Sequence, residues 1–434
     1  MTETTIIDWA RGDRFGLDLP AHPAALKTGG PEFLTRAFHA SGSLADDNRV
    51  TEITGFDEWL VGGTGTKAQL SVAYERDTPA PARDLFVKFS RNFSDRTRDR
   101  VRHAMEPEVL LANLSREPGF PVAVPKCLYA DFHHGSGTGI LITERIPYGQ
   151  GPVEPHFHKC MDQILPDPLA HYRVLISTLA HLSGTHKSGR LGDAVERDFP
   201  FDLEKTIVDG RNRYDAQQLA DRSDSLAKFI LRYPHLVPPH LADPHFLDDF
   251  RADAPLFIAQ QDAIRRFYLS QPDMIALCHW NANIDNAWFW READGVLKCG
   301  LIDWGSVGQM PICQTIWGSV GGAEPDLIDQ HLDELLDLFI VEYARAGGPV
   351  LDKVAVERHL GLQVMMAGLG SMMSAPRAIL REVPDPDVAT DRYDPVFTAN
   401  ETARVQLKIT ISFLNMWHRY DLGRLLRAGH IWQD

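Results

Sequence analysis

Two short stretches hold the residues best suited to chemistry. One runs His279-Trp280-Asn281-Ala282-Asn283-Ile284-Asp285-Asn286, and the other is Leu301-Ile302-Asp303-Trp304. A hard divalent cation takes oxygen ligands, so the amide oxygen of Asn286 and the carboxylate of Asp303 would suit Mg2+ that also meets phosphate oxygens. The segment between them, NAWFWREADGVLKCGLIDW, reads as a hairpin that would bring the two loops side by side. Three features earlier in the chain point the same way. Gly62, Gly63 and Gly65 surround Thr64 in VGGTGTKAQL, where a backbone without Cβ atoms could approach phosphates and offer them its N–H groups. Lys88, in LFVKFS, places an ammonium on an apolar strand, and Glu108, in MEPEVLLANL, could hold it as an ion pair. Glu106 is the competing choice for that partner. Taken singly, each feature has an ordinary alternative: a hairpin turn, an edge-strand charge facing water, a solvated helix glutamate, two polar turns. Their order in one chain carries the argument.

These positions require a sheet and a helix to hold them. Residues 1–30 are punctuated by Pro and Gly and read as a loose lead-in, and 31–44 as a short amphipathic helix. From Val50 the pattern alternates: VTEITGF, LVGGTGTKAQLSVAYE and, past a proline turn, DLFVKFS. Asp95 to Ser115 has helical spacing, and VPKCLYADF and GILITERI follow as strands around the turn HHGSGTG. Beyond Tyr148 the chain is mainly helical, in LAHYRVLISTLAHLSGTHKSG, LAKFILRY, PLFIAQQDAIRRFYL and three further tracts after the hairpin. Region 190–255, rich in Asp, Pro and His, gives no readable period. The expected organisation is α+β: a lead-in over 1–49, a small mixed lobe over 50–146 and a larger, mostly helical lobe over 147–434.

Composition sets the outer limits. With 434 residues, 44% of them hydrophobic and 24% charged, the chain has the make-up of a globular protein of two or three lobes or domains. A net charge of −15 argues against a nucleic-acid partner, which would require a basic surface. The five cysteines are scattered and none has zinc spacing. The N-terminus lacks the basic start and apolar run of a signal peptide, and no stretch approaches the roughly 18–20 apolar residues of a membrane span. A cytoplasmic protein with reduced thiols is expected, in which the glycosylation triplets at Asn92 and Asn113 are accidental.

The order of these motifs resembles the aminoglycoside phosphotransferase and choline kinase group of the protein-kinase-like fold. That group carries a loop H-G-D-x-x-x-x-N and then a strand ending I-D-W; His279, Asn286 and Leu301-Ile302-Asp303-Trp304 match in kind and spacing. LAHLSGTHKSG and FLTRAFHASGSLADDNRVTEI are similar to further family segments, so the likeness runs from about Glu32 to Gly348. The resemblance implies a bilobal fold, with a small antiparallel-sheet N-lobe bearing one helix and a larger helical C-lobe. It also implies ATP or another nucleoside triphosphate, Mg2+, and a small hydroxylated substrate docking on 190–255 and the C-terminal helices. By position, Lys88 would meet the α/β-phosphates with Glu108 as its anchor. The turn Gly62-Gly63-Thr64-Gly65 would cover the phosphates, and Asn286 and Asp303 would bind Mg2+. Thr143-Glu144-Arg145-Ile146 would be the hinge that holds the adenine by its backbone.

Two departures stand out. The loop's proton-accepting aspartate is Asn281, preceded by Trp280 in place of glycine, and after I-D-W the family's next aspartate is missing, with Gln314 and Thr315 in that stretch. An amide takes no proton at neutral pH. General-base help is worth about 10²–10⁴-fold, so its loss slows a phosphotransferase without erasing it. Asn281 could still orient a hydroxyl, Asp285 is either a substitute base or a turn residue, and His279 braces the loop. Two readings stand: a small-molecule phosphotransferase with impaired or atypical catalysis, and a nucleotide-binding pseudokinase with a regulatory or binding role.

Overall fold

Residues 6–59 and 64–429 are described by the computed structural model. The chain divides into two units: Met1–Gln150 with Glu196–Phe199 and Gly300–Val307, and Gly151–Val195 with Pro200–Cys299 and Gly308–Asp434. The class is α+β as expected, one unit carrying the main sheet and the other mostly helical. The expected boundary put everything from 147 onward in one lobe; here residues up to Gln150, Glu196–Phe199 and Gly300–Val307 group with the sheet. Asn286 therefore lies in the second unit and Asp303 in the first.

The first unit is built on an antiparallel five-stranded sheet, ordered Val50–Trp59, Thr66–Tyr74, Asp84–Phe89, Thr138–Glu144, Cys127–His133. Alternation sets its faces: Ala68, Leu70, Val72 and Tyr74 are buried on the second strand while their neighbours are partly exposed. One core packs Phe33, Leu34 and Phe38 on Leu70, Leu85, Val87, Ile140 and Ile142. A second core sets Met105 and Val109 against Ala130, Phe132 and Leu141. The helix expected over Asp95–Ser115 is three pieces: Arg96–Arg100, a 3-10 turn at Arg102–Met105, and Glu106–Leu114. Pro107 has no N–H to continue a single ladder through the junction.

From Ile6 onward the lead-in is ordered, contrary to expectation. Trp9–Arg11 pairs with Asp18–Pro20, and a helix runs Pro23–Ala40, kinked where Gly30 takes φ 53° before Pro31. Distant Asp131 accepts the N–H groups of Arg14 and Phe15, each at 3.0 Å, a tie no local pattern reveals. Gly62 and Gly63 lie outside the described residues.

In the second unit Ile275–Cys278 pairs antiparallel with Gly308–Pro311, which sets the start of the His279 loop. Ala287–Arg291 and Leu297–Leu301 form the expected hairpin. The unreadable region contains helices Leu203–Asp209, Ala216–Arg232 and Pro244–Asp253. Three of its aspartates are caps: Asp202 and Asp215 each accept one backbone N–H at a helix start, and Asp243 accepts two. Helix Pro168–Lys187 crosses Pro325–Arg345 at Gly184, where an added Cβ would meet the Tyr343 carbonyl oxygen at 2.4 Å. Gly184→Ala should therefore cost about 1–3 kcal/mol in urea unfolding. Gly370→Ala, in helix Lys353–Ser371 with open space around it, should stabilise by about 0.4–1 kcal/mol.

Candidate functional site

Lys88 sits on the central strand of the sheet with 3% of its surface exposed. Its Nζ donates to Glu108 Oε2 at 2.7 Å and to Asp303 Oδ1 at 2.5 Å. Burial works against the ammonium, but the Asp303 and Glu108 carboxylates overcome it and hold Lys88 above the ordinary lysine value. Burial pushes Glu108 up, and the Lys88 charge opposes that shift. Of the two candidate glutamates, Glu108 turns inward from helix Glu106–Leu114, while Glu106 pairs with His134 Nδ1 at 2.9 Å.

Asp303 is the more open member, its side chain 46% exposed. It takes φ 59°, a left-handed conformation that residues other than glycine seldom adopt. The backbone around it is fastened. Gly300 bridges to Ala123, Leu301 N–H donates to the Ala123 carbonyl at 2.9 Å, and Ser306 N–H donates to the Ala104 carbonyl at 2.9 Å. Lys67 was not singled out from sequence; the strand register sets it opposite Lys88. Burial and the Lys88 charge pull its amine down to about 8, with Asp303 and Glu108 opposing. Its signal was its place just after Gly65 on the neighbouring strand.

Gly65 takes φ 55°, and an added Cβ would fall 1.8 Å from the Phe89 carbonyl oxygen. Glycine is thus demanded by a close backbone approach, and partly buried Thr64 precedes it. In the expected hinge, Glu144 N–H donates to the Lys126 carbonyl at 3.0 Å, and the Ile146 carbonyl accepts from Tyr148 N–H at 3.0 Å.

In the second unit the loop is held by amides. Buried His279 accepts the Asn281 N–H on Nδ1 at 3.2 Å, and its carbonyl accepts from Thr315 Oγ1 at 2.7 Å. Asn281 Oδ1 accepts from Asn283 Nδ2 at 2.6 Å and from Lys159 Nζ at 3.3 Å. Asn286 is buried and spends its NH2 on the Asn281 carbonyl at 2.8 Å, which turns its oxygen the other way. The Asp285 carbonyl accepts from His156 Nε2 at 3.0 Å. Helix Ile312–Val320 presses on the loop so closely that a Cβ at Gly318 would lie 2.0 Å from the Trp280 carbonyl oxygen. Lys159 and Asp162 were not singled out from sequence. Burial pushes the Asp162 carboxyl up to about 6, against the pull of the Tyr172 hydroxyl and Lys408, and the Asp285 charge adds to the rise.

No family model matches the chain, and no curated protein matches it. Among solved structures, a microcompartment-associated aminopropanol kinase is 13% identical, covers 90% of this chain and 99% of its own, and has a TM-score of 0.44. The choline kinase of Cryptosporidium parvum Iowa II is 13% identical, with coverage of 86% and 92% and a TM-score of 0.43. A macrolide 2'-phosphotransferase type I is 12% identical, with coverage of 82% and 92% and a TM-score of 0.34. At these values none of the three transfers a residue's role to this chain.

Because Lys88 and Glu108 are both buried, removing one strands the other. Lys88→Ala should lower stability without any ligand, by roughly 3–5 kcal/mol in urea unfolding. Lys88→Met combined with Glu108→Leu should recover most of that loss; an additive double variant would show that the pair is not a unit.

Proposed function

We propose that the protein is a phosphotransferase of small molecules, binding a nucleoside triphosphate, ATP by first preference, together with Mg2+. The observation that carries this reading is the Lys88–Glu108–Asp303 cluster: a buried ammonium kept charged, with a half-exposed carboxylate beside it. In this proposal residues 50–146 form the nucleotide lobe. Lys88 moves its hydrogen bond from Asp303 to phosphate oxygens while Glu108 keeps it aimed. Lys67 adds a second amine on the same side, and the turn at Gly62-Gly63-Thr64-Gly65 covers the phosphates. The backbone at Glu144 and Ile146 receives the base.

Asp303 and Asn286 are the proposed ligands of Mg2+, and their donor types fit: one is a carboxylate, the other an amide whose NH2 is already committed. When bound, Mg2+ supplies charge neutralisation at the phosphates. In phosphoryl transfer, positioning and charge stabilisation do most of the catalytic work. The acceptor is a hydroxyl group on a small molecule, proposed to dock on region 190–255 and the C-terminal helices, with Asn281 orienting it. His279 is proposed as the brace of the loop. Asp285, next to Asn286 in the same loop, is proposed as a substitute base.

A second reading, a nucleotide-binding pseudokinase, is favoured by one feature. The Asn281 oxygen that would accept from a substrate hydroxyl already accepts from Asn283 and Lys159. Labelled ATP offered with a panel of hydroxylated metabolites separates the readings. The enzyme reading expects labelled product that depends on Mg2+. It also expects Asn281→Asp to raise turnover, by up to about 10²–10⁴-fold where proton transfer limits the rate. No product from any acceptor with either protein would favour the pseudokinase. Robust turnover indifferent to Asn281→Asp and Asn281→Ala would remove that residue from the reacting centre.

A further inference from the structure

We propose that His103, Glu106 and His134 form a binding site for a divalent cation of the Zn2+ class, separate from the Lys88 cluster. Their ligand atoms all lie within 4.8 Å of one another. The Glu106 carboxylate is 2.9 Å from His134 Nδ1 and 4.0 Å from His103 Nδ1. Two imidazoles and a carboxylate are a known three-ligand set for Zn2+, with water in the fourth position. Zinc bonds of about 2.0–2.2 Å place tetrahedral ligand atoms roughly 3.3 Å apart, so small rotations of the side chains close the site. The His103 and His134 side chains, 45% and 73% exposed, have room for those rotations and for an ion to enter.

The bland alternative is a surface ion pair between Glu106 and His134, worth about 0–1 kcal/mol. That pair leaves His103 aside; its ring packs against Phe132, with centroids 5.9 Å apart, and stands edge-on to His134 at 5.6 Å, which keeps it beside the pair. The ligands' backbones are also set in advance. His134 N–H donates to Asp13 Oδ2 at 2.8 Å, and Glu106 N–H donates to the His103 carbonyl. An ion therefore has only side chains to order. The site also has a consequence for its neighbours. Ala104 lies between two of the ligands, and its carbonyl receives Ser306 N–H at 2.9 Å, in the segment that carries Asp303. A bound ion would stiffen the turn on which that segment rests.

The test uses the full chain freed of metal, titrated with Zn2+ by calorimetry and with Co2+ by visible absorbance. The wild type should take up one ion that His103→Ala, Glu106→Gln and His134→Ala each bind at least about tenfold more weakly. Co2+ should give the absorbance of a four-coordinate site, lost in the same variants. His245→Ala, at an exposed histidine outside the group, should change nothing. Melting without metal checks that the variants remain folded. Equal uptake and absorbance in the wild type and in all three variants would overturn the proposal, as would no uptake by the wild type.

Discussion

An ammonium buried in a sheet must be paired, and much of the first unit follows from that requirement at Lys88. An isolated buried charge is costly enough that the group would otherwise give up its proton. Here two carboxylates meet it: Glu108 from the helix on one face of the sheet, and Asp303 from a segment far along the chain. Glu108 fixes the rotation of its helix, since its register turns Val109 onto the sheet core and leaves Glu106 toward solvent. Asp303 accounts for the grouping of Gly300–Val307 with the sheet and for a backbone held in a left-handed conformation. Strain of that sort persists only where surrounding contacts over-determine it, and the bonds to Ala123 and Ala104 do so.

The loop in the second unit follows a different logic. It meets its polar needs with neutral amides: Asn281, Asn283 and Asn286 bond within the loop, and Thr315 holds the His279 carbonyl. Support for the loop from the stretch after I-D-W thus comes from a hydroxyl, Thr315. Lys159 stands against Asn281, so a carboxylate at position 281 would gain an ion-pair partner there. The amide network keeps the loop shaped without a charge at its centre. That is compatible with slow chemistry and with binding alone, which is why the two functional readings divide at this residue.

The parts of the fold legible in sequence were those where burial imposes a period. Thr66–Tyr74 alternates because one face is core, and the helices Pro168–Lys187 and Pro325–Arg345 repeat because one stripe is buried. Lys88 and Glu108 could be named because a charge on an apolar strand needs an answer on a nearby helix. The illegible parts depend on distant partners or on caps. The lead-in is ordered by Asp131, more than a hundred residues away. Region 190–255 looked irregular in part because Asp202, Asp215, Asp243 and Pro244 mark helix starts, which composition alone does not distinguish from loop. Lys67, Lys159 and Asp162 escaped notice because cross-strand register and burial, not spacing along the chain, give them their company.

In the proposed function Lys88 and its two carboxylates hold nucleotide phosphates, beyond their structural role in the sheet. The most direct measurement is calorimetric titration of ATP, with and without Mg2+, into the wild type and Asp303→Asn. Asparagine tolerates the left-handed backbone at 303, so the variant removes a charge while keeping the turn. Wild-type binding should strengthen with Mg2+, and Asp303→Asn should lose that strengthening. No ATP binding by the wild type, or a Mg2+ effect unchanged by the variant, would contradict the proposed function.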